Sequence, residues 1–528
     1  MSGKVKVRNE KSRGFASGVS ILAVSALLVK VIGLCYRIPL LGYLGTEGMG
    51  YFNTAYELYA LFCVISTAGL PVAMSVLISG SLSDGRGGAV KRIFCVSLLA
   101  FVCIGAVGSV LLFGLAEPLA AFLKNDEAAA CIRMISPTVF FICLSSAYRG
   151  YFQGRRDMTP TAVSQVIEAA GKLFLGLLFA SVAVARGAAL PMVAASAALG
   201  LTVGTAVSVL YLWTRKLVSD QRHPLLPREG EERERGVLSR LLYTAVPITL
   251  SAGVISLTKC IDLALILRRL QTAGMSTAEA NSLYGCYSTL AVPVFNMLPS
   301  LATSVALSAV PALAAALGRG KDGEGEVARV SLDALRMSLY VSIPAALGLA
   351  VFSGDILGLL FGSQPDAVAM ASPWLSCLAL SVPASCLITV TGAMLQAAGR
   401  ADRPVISMLL GAGAKTALAY VLIGIPSVGL MGAPISTLLC DTVIVISNLV
   451  FLARHAPTML PNVRQSVGLL LLPTAAATLA VGAVYIARRT FGWGEISPIR
   501  TVGVVVMVAC LYGAIMLPRL IIEKQNKG

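Results

Sequence analysis

Apolar stretches of bilayer-crossing length follow one another from Phe15 to Leu517, and this sets what the chain can fold into. A hydrocarbon core about 30 Å thick takes about 20 helical residues to cross. It offers no water to an unpaired N–H or C=O, so repeated crossings demand helices or a closed barrel. The period-two alternation of an outer-membrane barrel is absent, which leaves an all-α polytopic membrane protein. A composition of 56% hydrophobic and 13% charged residues agrees.

About fourteen spans can be marked off. Six are expected near 15–42, 50–80, 92–116, 128–152, 159–185 and 188–213. A polar stretch with the charge run Arg228–Arg235 leads to six more, near 241–267, 282–317, 330–352, 367–396, 404–425 and 429–453. Two further spans, 466–487 and 499–518, follow. The expected organisation is an N-terminal six-helix lobe (1–213), a cytoplasmic connector (214–240), a C-terminal six-helix lobe (241–456) and two extra helices with a tail (457–528). The prolines of the eighth span, Pro293, Pro299 and Pro311, are read as kinks in one long helix. The basic start, Lys4 to Arg13, is read as flanking a retained helix, because the apolar run continues well past Lys30.

The two sets of six read as copies. Lys30 recurs as Lys259, and Tyr56, Tyr59 and Leu70-Pro71 recur, within one position of the same spacing, as Tyr284, Tyr287 and Leu298-Pro299. Gln153, Ser164 and Lys172 recur as Gln396, Ser407 and Lys415, all three at a single shared spacing. Both copies start from the same side, so the repeats are parallel. Transporters of this design carry their substrate path at the repeat interface.

The formal charge of +16 is concentrated in alternate connections: Arg86, Lys91 and Arg92; Arg149, Arg155 and Arg156; Arg319, Lys321 and Arg329; Arg400 and Arg403; Arg454 and Arg464. That is the positive-inside pattern. It predicts both termini in the cytoplasm and explains the charge without nucleic acid. The histidines, His223 and His455, fall in expected loops, and the twelve cysteines include no C-x-x-C pair. No metal site, disulfide framework or histidine chemistry is expected, and no cofactor. Nothing resembles a phosphate-cradling Walker loop, so direct ATP drive is not expected either.

Charges inside spans are costly and usually face a bundle interior or a wet cavity. Lys30, in mid-span, and Lys259, its copy, are therefore expected to line a central cavity. Arg37, two helical turns after Lys30, lies on the same face. Together they make a positive wall suited to phosphate, the arginine by its planar fork and the lysines as point charges. Glu57 is read as neutralising Lys30 or Arg37, or as a titratable coupling site. Asp262, three positions after Lys259, is read as its internal ion-pair partner, and Glu168 with Lys172 as an i,i+4 structural pair. Gly411 stands where Glu168 would recur, so Lys415 needs another partner, such as Asp441. Pro71 and Pro299 are read as kink or gating positions.

Four stretches carry a family resemblance: Lys30-x-x-Gly33-x-x-Tyr36-Arg37-x-Pro39, Gly45-x-Glu47-Gly48-x-Gly50, Ala68-Gly69-Leu70-Pro71, and YRGYFQGRRDMTPTAVSQ at Tyr148–Gln165. They are similar to the multidrug/oligosaccharidyl-lipid/polysaccharide exporter (MOP) superfamily, in its stage V sporulation protein B and polysaccharide-flippase branch, related to the MurJ-type lipid II flippases. The resemblance implies two six-helix lobes forming a V around a cationic cavity, alternating between inward-open and outward-open states. It implies a lipid-linked sugar as cargo with its pyrophosphate in that cavity. It also implies a groove for the polyprenyl tail on the two extra helices, at Leu469–Ala487 and Val502–Leu517. Lys30 matches a cavity arginine of the lipid II flippases, keeping the charge but losing the bidentate fork.

The expectation is a non-enzymatic flippase of the bacterial cytoplasmic membrane. Its cargo would be an undecaprenyl-pyrophosphate-linked glycan, lipid II or a polysaccharide repeat unit, for cell-wall, spore-cortex or surface-polysaccharide synthesis. Its partners would be that lipid-linked oligosaccharide, membrane lipids and cell-wall synthesis proteins. One rival is a cation-coupled multidrug exporter of the same superfamily, which would want carboxylates where this chain has lysines. Another is a polytopic polyprenyl-dependent glycosyltransferase, which would need catalytic Asp, Glu or His in sizeable outer loops.

Overall fold

The computed structural model describes residues 2–222, 236–490 and 498–525, so the charge run of the connector and the last tail residues lie outside it. Among the described residues every regular element is a helix. The first, α1 (Ser2–Thr67), is two helices run together. Gly45 breaks it with φ 61° and ψ −174°, a region essentially open only to glycine. After a bend at Ala68-Gly69, α2 (Leu70–Ser83) begins with Pro71 in its first turn, where a missing N–H leaves nothing unpaired. Then come α3 (Gly87–Gly114), the short α4 (Ala116–Phe122) and α5 (Ala129–Ile135), α6 (Pro137–Gly154), α7 (Thr159–Ala185) and α8 (Leu190–Arg222).

The second series is α9 (Val237–Thr272), α10 (Thr277–Cys286), a π-helical turn at Tyr287–Ala291, α11 (Val292–Met297) and α12 (Pro299–Leu317). It continues with α13 (Glu324–Val351), α14 (Ser353–Phe361), α15 (Pro365–Ala379), α16 (Val382–Ala397), α17 (Asp402–Ile423) and α18 (Gly432–His455). The extra helices are α19 (Val463–Thr490) and α20 (Pro498–Gln525).

Among the described residues eleven helical segments are long and apolar enough to cross a membrane, or twelve if the bent pair α15–α16 forms one span. One of them, Val24–Ser83, has 60 residues. At 1.5 Å per residue it would reach about 90 Å, three hydrocarbon thicknesses, so it holds the first and second expected spans. The eighth expected span is broken where Pro293 and Pro299 lack the N–H that an unbroken helix needs. With the bent pair taken as one span, these two features account for the difference from the expected tally of about fourteen.

The duplication is visible in the backbone. Gly45 has its counterpart in Gly274, also at positive φ (102°), at the same spacing that separates Lys30 from Lys259. Each of these glycines follows the first span of its series. Contacts divide the chain into two compact units, Met1–Arg268 with Ser276–Gly285, and Arg269–Met275 with Cys286–Gly528. Within the first, α2, α3 and α6 pack on one another, and α6 and α7 pack on α8. Within the second, α12, α13 and α16 do the same, and α16 and α17 pack on α18. The core of the first unit gathers Met74, Ile78, Phe101, Tyr151 and Phe152, joined by Leu241 and Ala245 of α9. A Cβ on Gly171 would lie 2.5 Å from the Gly204 Cα, so α7 and α8 touch backbone to backbone, the approach small residues permit in lipid. In the second unit α19 packs on α13 and α20 on α19. Phe352, Val481, Val484, Val504 and Val508 form the shared core there.

Candidate functional site

Three segments of the first unit carry one group of in-span charges: the first half of α1 (Lys30, Tyr36, Arg37), its second half (Tyr56, Glu57) and α9 (Lys259, Asp262). The Cys260 thiol donates to the Glu57 carbonyl at 3.5 Å. The Gly69 N–H donates to the Thr249 hydroxyl at 3.2 Å. Both contacts hold α9 along the second half of α1. The charges acting on the Glu57 carboxylate are Lys259, Arg37 and Asp262. Glu57 is also the carboxylate acting on the Arg37 guanidinium. Arg37, Glu57 and Asp262 are half-buried, whereas Lys259 is exposed. Lys30 is exposed as well, two turns before Arg37, and is not among the groups acting on Glu57. The structure thus puts Arg37, Lys259 and Asp262 within electrostatic reach of one carboxylate, and Lys30 is not among them.

In a second group Glu168 acts on the Lys172 charge, as expected, but each of the two has further partners. The Lys172 ammonium lies 4.4 Å from the Tyr56 ring centroid, 5.1 Å from that of Tyr36 and 5.7 Å from that of Phe52. Glu168 accepts from the Arg149 guanidinium at 2.9 Å. Arg149 also donates to the Ser164 hydroxyl at 2.9 Å. Spacing of i,i+4 makes two side chains neighbours without making them partners. Here α1 offers the ammonium three electron-rich ring faces, and α6 offers the carboxylate a guanidinium fork that also reaches a hydroxyl.

The long motif Tyr148–Gln165 is a joint between helices. Gly150 and Gly154 admit α2: a Cβ at Gly150 would sit 3.0 Å from the Pro71 carbonyl, and one at Gly154 2.7 Å from the Ile78 Cβ. Tyr148 and Tyr151 pack on Phe94 of α3 with centroids 5.6 and 5.1 Å away. The Tyr151 hydroxyl donates to Asp220 of α8 at 2.6 Å and accepts from Arg155 at 2.6 Å. Lys216 completes that knot on Asp220. Arg149 and Arg155 are therefore engaged inside the protein, while Arg156 is exposed.

In the second unit Lys415 occupies the repeat position of Lys172, and the Asp441 carboxylate is acted on by Lys415 and accepts from the Ser385 hydroxyl. Asp441 thus lies within electrostatic reach of Lys415. The loss of the local carboxylate has a steric cause. A Cβ on Gly411 would overlap the Ile444 side chain, so α18 leaves no room there for a second Glu168.

One polar group has no forerunner in the sequence reading. The Asn125 amide donates to Thr54 at 3.1 Å and to Asn281 at 2.9 Å. The Asn281 amide donates to the Glu47 carbonyl at 2.7 Å. Gly50 is glycine for this contact, since a Cβ there would overlap the Asn281 carbonyl oxygen. The only sequence signal was an asparagine beside an apolar span, with nothing to name its partners. Just upstream, Ser276 and Glu279 form a reciprocal capping box that starts α10, and the Ser276 N–H holds the Glu279 carboxyl below its usual range. Among the described residues no group of three or more His, Cys, Asp or Glu is placed to hold a metal ion.

A family model described as a polysaccharide biosynthesis protein matches residues 15–317, more than half of the chain. The chain belongs to the polysaccharide biosynthesis protein family. A second family model, MatE, matches residues 288–421. Stage V sporulation protein B of Bacillus subtilis is 26% identical over 430 residues, 80% of this chain and 80% of that protein. Lipid II flippase MurJ of the same organism is 25% identical over 526 residues, 95% of this chain and 94% of that one. A solved lipid II flippase MurJ in an inward closed conformation has a TM-score of 0.71 at 14% identity, covering 95% of this chain and 99% of that chain. An inward-facing multidrug resistance MATE family transporter has a TM-score of 0.62 at 15% identity, covering 81% and 98%. These two likenesses concern the fold. The resemblance to the flippase branch of the MOP superfamily is borne out, and the chain is a multi-pass membrane protein.

Proposed function

We propose that the chain flips an undecaprenyl-pyrophosphate-linked glycan, lipid II or a polysaccharide repeat unit, across the cytoplasmic membrane by alternating access, with no chemistry on the cargo. The repeats 1–213 and 241–456 are the alternating lobes in this reading, and α19–α20 the surface for the polyprenyl tail. The observation that carries it is the placement of Arg37 and Lys259 within electrostatic reach of Glu57, all on membrane spans. A bare cation within a span costs several kcal/mol, and Glu57 offsets that cost while no substrate is held. A pyrophosphate takes over the two cations on loading through charge-assisted bonds. Glu57 takes them back on release, which keeps the site from trapping its cargo. Lys30, exposed on α1, extends the positive field along the headgroup's path. Positive-inside asymmetry puts both termini in the cytoplasm in this reading.

The test is depletion of the protein in its own cell, followed by chemical identification of the lipid-linked intermediates on the cytoplasmic leaflet. Accumulation of one polyprenyl-pyrophosphate glycan there is the expected result. No accumulation of any such intermediate contradicts the reading.

A further inference from the structure

Spans α6 and α7 are joined by residues 155–158 alone, which fixes that turn at a membrane face. The backbone closes the end of α6 with hydrogen bonds from the Arg156 N–H to the Gln153 carbonyl (2.9 Å) and from the Asp157 N–H to the Phe152 carbonyl (3.0 Å). The turn between α16 and α17, its counterpart in the second copy, repeats them atom for atom. There the Gly399 N–H donates to Gln396 (3.0 Å) and the Arg400 N–H to Leu395 (2.9 Å). Both turns require a left-handed residue, with φ 63° at Arg156 and 75° at Gly399. Glycine is the usual occupant of such a helix end, because a Cβ is penalised there. The second copy has the glycine, and the first holds an arginine in the same strained position.

Among the described residues nothing accounts for that arginine. Arg149 is bonded to Glu168 and Ser164, and Arg155 to Tyr151 and Asp220. Arg156 is exposed and makes no ion pair among the described residues. Its guanidinium stands at the membrane boundary with no partner for its fork among the described residues, a geometry suited to the paired oxygens of phosphate.

We infer that Arg156 binds a phosphate-bearing lipid headgroup at the membrane face, and that this contact is why the first copy retains an arginine where its backbone favours glycine. The inference rests on the flippase reading for its preferred ligand, the pyrophosphate of the polyprenyl-linked cargo, which Arg156 would capture before the cargo reaches Arg37 and Lys259. Bulk anionic phospholipid offers the same chemistry from another source.

The full chain in phosphatidylcholine nanodiscs, titrated with farnesyl pyrophosphate, tests this, with a parallel series of nanodiscs containing phosphatidylglycerol. Arg156→Gly should melt at or above the wild-type temperature yet bind farnesyl pyrophosphate about fivefold more weakly, the loss expected of one interfacial cation. Arg156→Lys, which keeps the charge and the strain, should bind within about twofold of wild type. Arg156→Asn also tolerates the left-handed turn and should reproduce the glycine result if that variant folds poorly. A loss seen only for phosphatidylglycerol enrichment keeps the phosphate contact but makes its source the bulk lipid. Equal binding of both probes by Arg156→Gly and wild type overturns the inference and leaves the flippase reading standing. A wild-type chain that binds neither probe overturns both.

Discussion

Replacing Lys172 with methionine separates two accounts of the buried charges on α7. If Glu168 and Lys172 were partners, Lys172→Met would leave a carboxylate only 19% exposed without its cation, at a cost of about 3–5 kcal/mol. The structure gives a different sum. The ammonium meets three aromatic rings, and losing a desolvated cation–π contact costs about 2 kcal/mol. A thioether against the same rings returns about 0.3–1.5 kcal/mol, and a charge no longer has to be kept in an apolar setting. The net change for Lys172→Met should therefore stay within about 1 kcal/mol. Arg149→Met does strand Glu168 and should cost about 3 kcal/mol, most of it recovered in the double variant with Glu168→Met. Unfolding of the four proteins by denaturant in one lipid composition, followed by intrinsic fluorescence, gives the comparison. Lys172→Met as damaging as Arg149→Met, with no recovery in the double variant, would refute the assignment of partners.

Further outcomes follow from packing and hydrogen bonding. Gly171→Leu should cost about 3 kcal/mol by driving α7 from α8 and should abolish a monodisperse peak on size exclusion. Gly33→Ala, where a Cβ meets nothing within 4 Å, should be neutral or slightly stabilising in the same denaturant assay. Asn281→Leu removes one acceptor of the Asn125 amide and the amide donor to the Glu47 carbonyl, a loss of about 2 kcal/mol. Amide exchange at 276–285 should quicken, and unchanged exchange would argue that this network holds nothing.

The architecture was largely legible because a bilayer allows so few solutions, and the duplication because it left residues at fixed spacings. Those spacings proved to mark backbone events: Gly45 and Gly274 break their helices at matching points, and the turns at Arg156 and Gly399 share every hydrogen bond described above. Charge partners were less legible. Glu168 finds Arg149, 19 residues back and on another helix, and Lys172 finds rings on α1, far earlier in the chain. Such choices depend on which helix faces which, and spacing along one helix carries no record of it. At Lys415 the missing carboxylate at Gly411 raised the question of a partner from the sequence alone, and Asp441 lies within electrostatic reach of it.

The central claim, that the in-span cations of α1 and α9 carry a pyrophosphate, is tested most directly by flipping in proteoliposomes. A fluorescent polyprenyl-pyrophosphate glycan is placed in both leaflets, and the fraction made accessible to an external enzyme is followed for wild type and for Lys30→Gln with Lys259→Gln. The account predicts rapid exchange with wild type and none above protein-free vesicles with the double variant, both proteins being folded and equally inserted. Wild-type exchange by the double variant would contradict it.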